Sequence, residues 1–175
     1  EVTKMGIFNE FNKKEKPVFT GLKFGFGFGA ASAGTGGPSF SATGGFVSDY
    51  TDGGSEYRAH VFMAPGTFTA TGSATVDYLV IGGGGGGGTS GGGGGGAGLV
   101  RYVEGQSVSP GPYAVEVGQG GTGGVAPENR GSQGGSSSIA FPSTVTSPGG
   151  GGGGGVSGYA TGGAGGAGGG GAGPS

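Results

Sequence analysis

His60 is the only histidine in the chain, and imidazole is the side chain best suited to moving protons near neutral pH. With Asp77 and any of many serines it supplies the residue types of a Ser-His-Asp assembly. No serine, however, follows a strand and opens a helix as a nucleophile elbow requires. His60 lies mid-strand beside Arg58 and reads as a structural or surface residue. Beyond the amino-terminal segment the carboxylates are few: Asp49, Asp52, Glu56, Asp77, Glu104, Glu116 and Glu128. Asp49, Asp52 and Glu56 offer oxygen ligands for a calcium ion, but their spacing misses the EF-hand loop and reads as a solvated loop. Glu104 and Glu116 flank one predicted hairpin, where exposed carboxylates ordinarily sit. The glycine runs contain G-x-G-x-x-G by default, so that pattern carries no information. A phosphate loop also needs a lysine, and none occurs after Lys23. There is no cysteine, hence neither disulfide nor thiolate ligand. With so few titratable groups the expectation is a non-enzymatic protein, with no catalytic residue, cofactor or metal.

The elements around these residues are dominated by glycine, 55 of 175 residues, with uninterrupted runs at 82–88, 91–96 and 149–155. Glycine loses more conformational freedom on folding than any other residue and has no side chain to bury. Ordering one residue costs about 1–2 kcal/mol, whereas a hydrogen bond returns about 1 kcal/mol net. Ordered runs must therefore pair nearly every amide and carbonyl with neighbouring chain. The strict three-residue period of collagen is absent. The remaining ordered form is the polyproline II helix, with three residues per turn and backbone groups pointing outward. Apolar, β-branched segments between the runs and a net charge of −2 favour order over a disordered linker.

Four regions are expected: an amino-terminal anchor peptide at 1–29, a linker at 30–54, a β-hairpin module at 55–81, and a glycine-rich bundle with interleaved hairpins at 82–175. Met5, Phe8 and Phe11, three apart, place an apolar stripe on a short helix ending before Pro17. Phe24, Phe26 and Phe28 alternate with glycine and line one face of an extended strand. Lys4, Lys13, Lys14, Lys16 and Lys23 are interleaved with Glu1, Glu10 and Glu15, so nucleic-acid binding is not expected. Residues 57–64 read as a strand, Pro65-Gly66 as a turn and 67–71 as its hairpin partner. Residues 74–81 form a strand running into the first glycine run. Further strands are predicted at 99–103 and 112–117, and 138–145 is an edge strand or two short pieces because of Pro142. The longest apolar stretch, Tyr78 to Ile81, is far short of a bilayer span, so no membrane insertion is expected. No signal peptide is read at the start.

The succession His60-Val61-Phe62, Pro65-Gly66-Thr67-Phe68-Thr69, Val76-Asp77-Tyr78-Leu79-Val80-Ile81 and the following glycine run resembles the glycine-rich domain of bacteriophage fibre and adhesin proteins. Pro110 to Gly118 looks like that family's second hairpin, and Ser136 to Phe141 precedes its last glycine block. The likeness covers about residues 55–175. Residues 5–29 also look like the amino-terminal peptide of virion proteins of marine, especially cyanobacterial, myophages. Related polyglycine-sandwich adhesins stack polyglycine II helices. The resemblance therefore implies an all-β protein, a small β-rich module leading into an ordered polyglycine II bundle, used as a virion fibre or tail-fibre adhesin for host attachment. A capsid-bound decoration fibre and an extracellular matrix protein are the alternatives.

Under this reading Phe8, Phe11, Phe24, Phe26 and Phe28 anchor the chain to other virion proteins at the particle surface, after assembly in the host cytoplasm. Glu128, Arg130 and Tyr159 are the expected contacts to a host receptor. Fibres commonly assemble as homotrimers, while a glycine bundle can also close within one chain; both stoichiometries stay open.

Overall fold

The computed structural model describes residues 40–89, 91–125, 130–155 and 161–173. The described residues are all-β, with no helix among them. The described residues form nine strands: β1 Ala42–Thr43, β2 Phe46–Asp52, β3 Ser55–Val61, β4 Gly66–Ala70, β5 Ala74–Ile81, β6 Val100–Val108, β7 Gly111–Glu116, β8 Ser137–Ile139 and β9 Val145–Ser147. Every pairing is antiparallel. A five-stranded sheet has the order β1-β4-β7-β8-β9, and β2–β3 and β5–β6 are separate two-stranded ribbons.

Period-two patterning decides which faces meet. Val76, Tyr78 and Val80 on β5 are buried while the residues between them are half-buried. They pack with Phe68 and Ala70 of β4, Val115 of β7, Ile139 of β8 and Phe141 in one cluster. Phe141 lies among the aromatic rings, with centroids 5.0 Å from Tyr113, 5.1 Å from Tyr78 and 6.2 Å from Phe68. Tyr113 also holds the β6–β7 turn: its hydroxyl donates to the Ser109 carbonyl at 2.7 Å and accepts from the Ser109 amide at 2.9 Å.

Two local devices bend the ribbons. Gly53 and Gly54 have φ of 59° and 82° between paired Asp52 and Ser55, the backbone of a two-residue primed turn whose twist matches the strands. In β5–β6 the register shifts so that Asp77 faces both Glu104 and Gly105. Gly105 has φ 66° and donates its amide to the Asp77 carboxylate at 2.8 Å, a bulge bridged by the side chain across from it.

Two expectations are corrected. The stretch 30–54 contains β1 and β2, so its part from 42 onward is not all loop. Strand β3 does not form a hairpin with β4; it pairs with β2, while β4 lies between β1 and β7. A shared turn at Pro65-Gly66 suggested the wrong partner because alternation marks a buried face without naming the strand beside it. The break around Pro142 does yield two short strands, β8 and β9.

The glycine runs continue the strands. Beyond the Ile81–Val100 pair, the amides of Gly82, Gly85 and Gly88 donate to the carbonyls of Leu99, Gly96 and Gly93 at 2.8–3.0 Å. Beyond β8–β9, Gly134 and Gly131 donate to Gly150 and Gly153 at 2.9 Å. Beyond β7–β8, Gly135 and Ser132 donate to Gln119 and Thr122 at 2.7 and 2.9 Å. The bonds recur every third residue, not every second as in a sheet.

Candidate functional site

Three places in the described residues bear on function: the interior of the glycine block, which sets its shape, its far end, and a cleft beside the β2–β3 ribbon. The first is built almost wholly from backbone. Residues 149–155 are buried throughout and bond to five surrounding segments. Their amides reach Gly83, Gly86, Ala167 and Gly170, and their carbonyls accept from Gly93, Gly96, Gly131, Gly134, Gly163 and Gly166. Packing is tight enough that side chains are excluded. A Cβ on Gly152 would lie 1.9 Å from the Gly131 carbonyl oxygen, and one on Gly85 2.1 Å from that of Gly151. The outer positions differ: a Cβ on Gly84 or Gly87 meets nothing nearer than 3.9 or 3.8 Å. Other outward positions carry side chains, including Ala97, Gln119, Thr122 and Val125, all exposed.

Arg130 is exposed and immediately precedes Gly131, at the end of the block away from the strands. Val125, also exposed, follows Gly124, whose amide donates to the Gly87 carbonyl at that same end. Of the three expected receptor contacts the structure thus places Arg130; Glu128 and Tyr159 lie outside the described residues. So do the expected anchors Phe8, Phe11, Phe24, Phe26 and Phe28.

The residues first considered for chemistry are engaged elsewhere. His60 is fully buried, its Nδ1 2.7 Å from the Gly44 carbonyl oxygen and its ring edge-on to Phe68. A carbonyl only accepts, so Nδ1 carries the proton in this bond. Burial holds the imidazole pKa below its ordinary value, partly countered by the Gly44 bond. The Asp77 carboxylate is the acceptor for Gly105 rather than for His60. Among the described residues no three His, Asp or Glu side chains converge as metal ligands. Tyr78 places its hydroxyl in the core with no hydrogen-bond partner among the described residues, and burial raises its pKa.

The cleft, about 340 Å³, lies between the β2–β3 ribbon and residues 40–42. Register places Asp49 opposite Arg58, Tyr50 opposite Tyr57 and Thr51 opposite Glu56. Arg58 grips Asp49 with two bonds, Nε to Oδ1 at 2.7 Å and Nη2 to Oδ2 at 2.9 Å. That guanidinium holds the Asp49 carboxyl below its usual pKa. The tyrosine rings stack with centroids 5.3 Å apart and planes 17° from parallel. Sequence reading separated these residues into a linker and a strand. The signal that joins them is Asp52-Gly53-Gly54-Ser55: equal steps outward from a two-residue hairpin turn pair Tyr50 with Tyr57 and Asp49 with Arg58. A more open groove of about 620 Å³ runs along the junction of sheet and glycine block, past Met63, Leu79, Ile81 and Val100.

A family model described as a glycine-rich domain matches residues 62–175. No curated protein and no solved structure matches the chain.

Proposed function

The chain belongs to the glycine-rich domain family, and from that premise we propose that its glycine runs form a polyglycine II bundle serving as a stiff, non-enzymatic fibre or adhesin on a bacteriophage particle. The observation that carries this reading is the environment of residues 149–155, which are buried and bonded by backbone to five neighbouring segments. A three-residue hydrogen-bond period is that of the polyproline II helix. Bonding on several sides, rather than in one plane, distinguishes packed helices of this kind from a sheet. Such a block resists bending in every direction and presents little side-chain chemistry, which suits a spacer or fibre better than a catalyst.

In this reading the β-rich part gives the block its starting register, the segment before residue 30 attaches the chain to other virion proteins through Phe8, Phe11, Phe24, Phe26 and Phe28, and the far end of the block faces outward. Arg130, with Glu128 and Tyr159, then meets the host receptor. The chain acts at the virion surface, as a single-chain bundle or a homotrimer.

Cryo-electron microscopy of the native particle tests this reading. Continuous density for the glycine block, with its far end outward and the amino-terminal segment against a virion protein, is the expected result. Lack of the chain in purified particles, or incorporation unchanged when residues 1–29 are deleted, overturns the attachment. Glycine amides of 149–155 that exchange with solvent as fast as an unfolded peptide overturn the bundle.

A further inference from the structure

We propose that Ser147 and Ser137 form a register clamp: Ser147 aligns the β5–β6 ribbon with the five-stranded sheet along the strand axis, and Ser137 starts the run after β7 in step with them. The need for such a device follows from topology. The β5–β6 ribbon shares no ladder with the five-stranded sheet, so strand pairing leaves open how far one layer slides past the other. Apolar packing between the layers is non-directional and does not fix that distance. The glycine block requires it fixed, because runs extending the two layers bond to each other residue by residue. Gly150 donates to the Gly83 carbonyl at 2.8 Å and Gly96 to that of Gly151 at 2.7 Å. A uniform glycine run offers equivalent partners after a slip, so the alignment has to be set outside it.

Among the described residues the buried polar side chains are His60, Ser137 and Ser147, and a polar group is ordinarily buried only with a hydrogen bond. Ser137 and Ser147 are opposite each other, the last β8–β9 pair on the side of the glycine block. Two residues along β8, on the same face, Ile139 packs in the core with Val76, Tyr78 and Val80 of β5. From that face the Ser147 hydroxyl donates to the Leu99 carbonyl, across the layers. The Ser137 hydroxyl accepts from the Gly118 amide at 3.0 Å. Both targets stand where a three-residue series of backbone bonds meets the sheet. Gly93, Gly96 and Leu99 donate to Gly154, Gly151 and Pro148, while Gly124 and Gly121 donate to Gly87 and Gly84, with Gly118 next in line. The bond from Leu99 to Pro148 could be remade by any neighbouring residue after a slip, whereas the hydroxyl bond exists only where a serine stands. Side-chain size suits the position as well. Ile139 and Val145 fill the core, serine follows, and a Cβ on Gly149 would already lie 2.0 Å from the Gly134 carbonyl oxygen.

The test follows amide hydrogen exchange residue by residue in the full chain and in its Ser147→Ala, Ser137→Ala and Thr146→Ala variants, the last a control because Thr146 is exposed on the same strand. In the Ser147→Ala chain the cross-layer amides of Gly83, Gly96, Gly150 and Gly153 should exchange about tenfold faster, the upper end for one lost hydrogen bond. Amides of β4 and β7 and the near-ultraviolet signal of the aromatic core should keep their wild-type values. Ser137→Ala should speed Gly121 and Gly124 in the same way, and Thr146→Ala should change neither region. Equal loosening of sheet and block, which a merely stabilising bond would give, overturns the clamp. So does wild-type protection of the block in both serine variants. Failure of the clamp leaves the bundle and fibre reading standing, because that rests on protection in the wild-type chain and on its place in the particle. Absence from the particle, in turn, leaves the clamp standing, whereas unprotected glycine amides in the wild-type chain overturn both.

Discussion

The β-sheet region and the glycine block continue the same chain segments, yet they are held together by opposite means. In the β-rich region, Phe68, Tyr78, Ile139 and Phe141 bury side chains in one core, and backbone bonds within each sheet run between neighbouring strands. In the interior of the block there are no side chains, and backbone bonds run from residues 149–155 to five neighbouring segments. Burial of apolar area is tolerant of small shifts, whereas a backbone-to-backbone packing has no soft material to yield. Glycine runs also carry no register information, since every residue is the same. Their alignment comes from the strands they extend: Ile81 opposite Val100, Ser137 opposite Ser147 and Glu116 opposite Ser138. All-backbone packing and strand register are thus properties of different regions.

The largest expected effect is in the interior of the block. Gly152→Ala would place Cβ 1.9 Å from the Gly131 carbonyl oxygen, so the segments must separate, and we expect loss of amide protection across residues 149–155 with the sheet still folded. Gly84→Ala is its control, because that Cβ has open space. Removing a glycine at a compatible site typically stabilises by about 0.4–1 kcal/mol. Hydrogen exchange and denaturant melts of the two variants compare them directly; equal effects would break the distinction between interior and outer glycines.

Next in size is Phe68→Ala in the sheet core. Phe68 is fully buried, and a buried phenylalanine truncated to alanine costs about 3–5 kcal/mol. Because the strands register the glycine runs, this change should reduce protection in the block as well, though no atom there is altered. Exchange that stays slow in the block while the sheet melts would show that the block holds its own register.

The smallest effect is with pH. Burial lowers the His60 pKa below 6.5, so the folded state favours neutral imidazole while the unfolded chain protonates near its ordinary value. The contribution is whole above about pH 6.5 and is lost as pH falls from there toward the lowered folded value. Arg58 adds to the depression and Asp49 opposes it. Residues 82–89, 91–99 and 149–155 contain no titratable side chain. Thermal melts between pH 8 and 5 should therefore weaken the sheet first. Replacing His60 with glutamine should flatten that dependence; an unchanged slope would assign it to other groups.

Several particulars could be read before any coordinates. The alternation of Ala74 to Ile81 gives a strand with Val76, Tyr78 and Val80 inward, as observed, because period-two side-chain direction is a local property. Pro142 divides the 138–145 stretch because proline cannot donate to a ladder. The scarcity of titratable residues beyond the amino-terminal segment and the need of glycine runs for backbone partners also follow from composition. The cleft was legible only through its turn: Gly53-Gly54 sets the step count that aligns Asp49 with Arg58, whereas His60 drew attention for its chemistry and proved to be packed against Phe68.

What sequence alone determined is therefore local: which face of a strand such as 74–81 is apolar, where proline interrupts a strand, and which segments have no side chain. Tertiary structure alone decided the partners, with β3 beside β2, β4 between β1 and β7, and residues 149–155 at the centre of the glycine block. Alternation specifies a face but not a neighbour, and identical glycines specify neither. Only closure of the whole chain, with its side-chain core aligning strands that the glycine runs then extend, can choose among otherwise equivalent backbone pairings.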